Sequence, residues 1–147
     1  MGIDIQLQVA VHIFDAFINR LIDFDYPSHV GLITFASAVK EQWRISDNIY
    51  RLREALHGIR DSDFTNLWDA LELASKNLSA YAEKHPNARK RILVLSDGED
   101  NSGKSAFQTC QTLQRAKIIV DSFVIGGSYN MELKAISHAY VLHPLRV

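Results

Sequence analysis

Three short, almost continuously apolar runs, HVGLITF, RILVLSDGED and IIVDSFVIGG, constrain this chain more than any other feature. A strand that is apolar on both faces has to be covered on both. Between and around the runs the period changes to three-four spacing. Ile49, Leu52, Leu56 and Ile59 form one helical stripe, Leu67, Leu71, Ala74, Leu78 and Tyr81 a second, and Phe107, Cys110 and Leu113 a third. Strands that alternate with helices need crossover connections. The expected fold is therefore α/β and Rossmann-like, a mainly parallel sheet with helices on both faces. Such sheets bind ligands beyond the carboxyl ends of their strands, where the strand order reverses. The loops that leave the three runs, and the turn that holds Thr65, are the places to look for a site.

The remaining segments fit around that frame. AVKEQWRI alternates, with Val39, Trp43 and Ile45 on one side, and suits the edge of the sheet. Ser46 or Asp47 is placed to cap the helix that follows it. IIVDSFVIGG reads as a buried strand, Asn130 as the cap of a short helix with Leu133 and Ile136, and AYVLHPLRV as a last edge strand restricted by Pro144. The opening, MGIDIQLQVAV, fits two periods. Ile3, Ile5, Leu7, Val9 and Val11 alternate like a strand, whereas Leu7, Ala10, Val11, Phe14, Phe17, Ile18 and Leu21 form a helical stripe. A central parallel strand would not set Asp4, Gln6 and Gln8 on one face. The helix is the better reading.

Composition narrows the class. The 147 residues suffice for one core without staples. They are 47% hydrophobic and 22% charged, which argues against disorder. A net charge of -1 supplies no field for nucleic acid or an anionic membrane. Cys110 is the one cysteine, so neither an internal disulfide nor a Cys-rich zinc site is expected, and a cytoplasmic setting suits it. No apolar run reaches the ~20 residues of a membrane span.

Two stretches carry more specific information, DFTNLWDAL and LVLSDGED. Together they resemble the von Willebrand factor type A domain, in which a Thr opens the third helix and an Asp ends the fourth strand in a (S/T)DG turn. Thr65 and Asp97, followed by Gly98, stand at those places. VGLITFAS resembles the second strand of that family, and SFVIGG followed by ELKAISHA its fifth strand and final helices. The resemblance implies a metal-ion-dependent adhesion site built from hydroxyl and carboxylate oxygens, hard ligands suited to Mg²⁺, Mn²⁺ or Ca²⁺. An acidic side chain of a protein partner would complete the coordination. It implies binding rather than catalysis.

The chain departs from the family where the first strand should end. The Asp-x-Ser-x-Ser loop occurs nowhere in it, and Met1 stands where a Met directly before the first helix would be. The expectation is a single type A-like domain over 1–147, truncated at the N-terminus and at the C-terminus, with its first central strand missing. Thr65 and Asp97 would then form a residual site that holds Mg²⁺ or another divalent cation weakly. The strands on either side of the missing one would face a gap. Each unsatisfied buried polar group there costs about 1–3 kcal/mol, against the ~5–15 kcal/mol that keeps a domain folded. The chain alone should be marginal.

Ordinary roles compete with the site roles. Thr is a common helix cap, and Asp with Gly is common in turns. Glu99 and Asp100 read as surface charges, Asp69 as a solvated or salt-bridging residue, and Cys110 as a small core residue. His12, His57 and His138 lie on predicted helices without zinc spacing. Arg89, Lys90 and Arg91 read as a solvated strand entrance, and Trp43 and Trp68 as core or edge packing. Three functions are weighed: a protein-interaction module with an incomplete cation site; a truncated product or fragment of a larger protein, ubiquitin-pathway or copine-like; and a nucleotide-using α/β enzyme. Against the last, there is no GxGxxG; GEDNSGKS, residues 98–105, does match GxxxxGK(S/T).

Overall fold

A computed structural model describes residues 5–60, 66–96, 105–124, 133–134 and 137 of the chain. The opening segment is helical: α1 runs Ile5–Asp23. It is followed by β1 (Val30–Phe35), β2 (Val39–Ser46), α2 (Ile49–His57), α3 (Leu67–Lys84), β3 (Arg91–Ser96), α4 (Ala106–Arg115) and β4 (Ile119–Val124). Met1 to Asp4, Asn130 and the AYVLHPLRV tail lie outside the described residues.

Among the described residues the strands form two separate two-stranded sheets. β1 and β2 pair antiparallel, from Val30 opposite Ser46 to Phe35 opposite Val39. β3 and β4 pair parallel without a break, from Arg91 opposite Ile119 to Ser96 opposite Val124. Among the described residues no backbone hydrogen bond joins β1 to β3. The expected parallel character therefore resides in β3 and β4, and β2 is the antiparallel edge that its alternating sequence suggests.

Helices cover both faces. Successive residues of a strand point to opposite sides. On β3, Val94 joins the cluster of Leu67, Trp68 and Leu71 from α3 and Leu113 from α4, while Leu95 packs with Ala10 of α1. α3 and α4 thus lie on one face and α1 on the other. Ile118, Val120 and Leu133 complete the first cluster. Toward β1, Ile18 of α1 and Leu52 and Leu56 of α2 enclose Val30, Leu32 and Trp43. Phe35, the last residue of β1, packs against both the Val94 cluster and the Leu95 cluster. Its ring therefore lies at the seam between the two sheets.

Local chemistry explains most element boundaries. Asn48, rather than Ser46 or Asp47, caps α2: its Oδ1 accepts from the Arg51 amide at 3.2 Å. Ser46 acts one step earlier, where its Oγ accepts from the Asn48 amide and from Trp43 Nε1. Ser105 caps α4 by accepting from the Gln108 amide. Two apolar expectations need correction. Phe107, read as part of the α4 stripe, is 70% exposed, because the buried stripe of α4 is Thr109 and Leu113. β4 is covered on one face only: Val120 is buried, whereas Phe123 is 49% exposed. Ser122, on the Val120 side, meets Ser137 at 2.6 Å through their hydroxyls.

Candidate functional site at the carboxyl ends of the strands

Thr65 and Asp97 lie outside the described residues, as do Gly98, Glu99 and Asp100. Their immediate neighbours are described, and these meet at one end of the molecule. Asn66, next to Thr65, adopts a left-handed conformation with φ 60 and ψ 35. That region is uncommon for residues other than glycine, and Asn is among those that enter it most readily. Its side chain does not cap α3. The Asn66 Nδ2 instead donates to the Ala36 carbonyl at 2.7 Å, which ties the start of α3 to the carboxyl end of β1. Leu67 follows at once and is fully buried beside Val94.

Ser96, next to Asp97, closes β3 and is also fully buried. Leu95 before it packs with Ala10, Ile13, Phe14 and Phe35. The carboxyl ends of β1 and β3, the first turn of α3 and the amino-terminal half of α1 therefore share one neighbourhood. This is the end at which an α/β sheet presents ligand sites. Asp69 sits half-buried in the first turn of α3. The role of Asn66 was not read from the sequence. The available signal was an Asn directly before a helical stripe, which has the geometry of a left-handed turn as well as that of a cap.

Beside this end, a cleft of 240 Å³ opens between the β1–β2 turn and the end of α2, lined by Thr34, Ser37, Lys40, Gln42 and Arg60 among others. Gln42 donates to Thr34 Oγ1 within it, and Arg60 Nη1 donates to the carbonyls of His57 and Ile59. A larger groove of 560 Å³ runs between the outer sides of α3 and α4, past Glu72, Lys76 and Arg115. It lies away from the strand ends and is open to solvent, so its size gives it no claim to the site.

The other residues singled out in the sequence have structural surroundings. Trp68 is 2% exposed in the core, and Trp43 packs against the α1–α2 cluster. Cys110 is half-buried against the main cluster. His57 and Arg53 both pair with Asp15 at 3.2 Å, joining α2 to α1. Arg91 holds the side chain of Asp121 across β3 and β4. That hydrogen bond raises the guanidinium pKa above its ordinary value; partial burial opposes the shift and the charge of Asp121 adds to it. Among the described residues, no three His, Cys, Asp or Glu side chains converge as they would around a metal ion, and no helix is long and apolar enough to cross a membrane.

The von Willebrand factor type A domain family matches residues 5–141. A probable bifunctional E2/E3 enzyme of Acanthamoeba polyphaga mimivirus is 29% identical over 148 residues, 95% of this chain. The chain spans only 11% of that relative's length. Among solved structures, proximal thread matrix protein 1 of the mussel byssus, with a zinc-occupied MIDAS motif, superposes with a TM-score of 0.75 at 18% identity. That match covers 89% of this chain and 36% of the byssus protein. BatB of Bacteroides thetaiotaomicron superposes with a TM-score of 0.67 at 20% identity, covering 80% of this chain and 55% of BatB. These structural likenesses carry the fold.

Proposed function

Because the chain belongs to the von Willebrand factor type A family, we propose that it is a non-enzymatic protein-interaction module whose cation site is incomplete. The observation that carries this reading is the seam between β1 and β3. Both strands end beside the segments that hold Thr65 and Asp97, and no backbone pairing crosses the seam among the described residues. A hydroxyl and a carboxylate alone are a poor site for Mg²⁺, which keeps its waters unless several oxygens are held in near-octahedral order. The partner contacts this end of the domain, and an acidic side chain is the group that an ion held there would attract. In this reading the domain works in the cytoplasm, and catalysis has no part in it.

Residues 1–147 are, in the same reading, part of one such domain within a larger protein. The seam supports this physically, since a strand between β1 and β3 would be covered by α1 on one face and α3 on the other. The mimivirus relative favours a ubiquitin-pathway-like parent, because this chain resembles a small portion of a much longer protein named as an E2/E3 enzyme. Thermal unfolding with and without Mg²⁺ tests the site. A ligand that binds the folded chain raises its melting temperature in proportion to affinity. Submillimolar Mg²⁺ is expected to leave the midpoint unchanged, and a clear rise would show that the site is intact.

A further inference from the structure

At the opposite end of the molecule, folding brings together two histidines that are far apart in sequence. His29 immediately precedes β1, and His85 is the C-cap of α3. Their ring centroids are 5.3 Å apart and their planes 79° from parallel. Tyr81, one turn before His85 on α3, stacks on the His85 ring at 4.6 Å. Its hydroxyl lies 2.5 Å from His29 Nδ1. We propose that His29 and His85 form a two-histidine chelate for a borderline transition-metal ion, Cu²⁺ or Zn²⁺, with Tyr81 orienting the His29 imidazole and water completing the coordination.

The geometry supports this in three ways. Two imidazoles bound to one ion through nitrogens about 2.0–2.1 Å from it, at a tetrahedral angle, have ring centres about 5 Å apart. The spacing of His29 and His85 matches. Second, a metal-bound histidine ordinarily donates its other ring N–H to an oxygen, which fixes the tautomer and strengthens the ligand. The Tyr81 hydroxyl can accept as well as donate. With Nδ1–H of His29 donating to it, Nε2 is left as the ligand atom. Third, both backbones are anchored. The His85 amide donates to the Ala82 carbonyl and its carbonyl accepts from Ala88, while Val30, next to His29, is in the β1–β2 ladder. Both imidazoles are exposed, so an ion reaches them without unfolding. Imidazole donors suit Cu²⁺ and Zn²⁺, whereas Mg²⁺ prefers oxygen. This chelate is therefore separate from the Thr65 and Asp97 end in place and in chemistry.

The test is titration of the full chain with Cu²⁺, followed by calorimetry and by electron paramagnetic resonance, with Zn²⁺ as a competitor and Mg²⁺ as a non-competitor. One ion per chain is expected at micromolar affinity, with hyperfine structure from two imidazole nitrogens. His29→Gln and His85→Gln should each remove this class of site and leave only the background of the five histidines that remain. Tyr81→Phe keeps the stack but removes the hydroxyl, and it should weaken binding about tenfold. Metal-free melting of each variant shows that it is folded, and Asp97→Asn should bind Cu²⁺ like the parent. Binding that survives His29→Gln or His85→Gln, a one-nitrogen spectrum, or no micromolar site in the parent would each overturn the proposal.

Discussion

At the scale of single residues, two backbone positions carry more of the architecture than their side chains suggest. Gly31 sits where the β1–β2 register shifts, between Val30 and Leu32. A Cβ there would lie 2.9 Å from Ile45 Cγ1 and 3.2 Å from both the Ile45 nitrogen and the Trp43 carbonyl oxygen. One of these neighbours is a side-chain atom that can shift, but two belong to the backbone of the paired strand. Gly31→Ala should therefore destabilise the chain by about 1–3 kcal/mol, read as a lower denaturant midpoint. The substitution would normally be harmless or favourable in a strand, so the sign is a direct check of the close approach. Asn66 is the other position. Its left-handed backbone and its bond to the Ala36 carbonyl place the first turn of α3 against β1.

At the scale of elements, α1 is the piece that spans the seam. Its amino-terminal half meets Leu95 of β3 through Ala10, and its carboxyl-terminal half meets β1 and α2 through Ile18 and Ile22. A small residue at position 10 permits close approach, since Ala10 is 5% exposed with Leu95 directly against it. Ala10→Leu keeps helix propensity but overfills this contact. It should cost about 1–3 kcal/mol and should accelerate hydrogen exchange in β3 more than in β2. Equal exchange in the two strands would mean that α1 does not clamp the seam. The helical reading of the opening segment came from its stripe and from the polar residues that a buried strand would not tolerate. The exposed face of β4 was not legible, because an apolar run looks the same whether one side of it is covered or both.

At the scale of the whole molecule, the two sheets share cores but no backbone ladder among the described residues. Cooperativity in an α/β domain comes from a continuous sheet packed between layers, and here the continuity rests on side chains such as Phe35. The isolated chain is expected to unfold at low denaturant with a broad transition. A sharp, high-midpoint transition would show that packing across the seam is sufficient. An extended apolar segment supplied at the seam would raise the midpoint by pairing both strands and burying its own faces.

Hydrophobic period alone determined the α/β class, the order of helices and strands and the edge character of β2, because burial on one face or both leaves a direct record in residue spacing. The Thr65 and Asp97 segments carry a resemblance to the family in short motifs, and both residues lie outside the described ones. Tertiary structure alone decided that Asn66 reaches back to Ala36 and that His29 meets His85 across 56 residues of chain. Those facts depend on which surfaces come together. Contacts between distant segments are set by packing of the whole, and no local pattern encodes them.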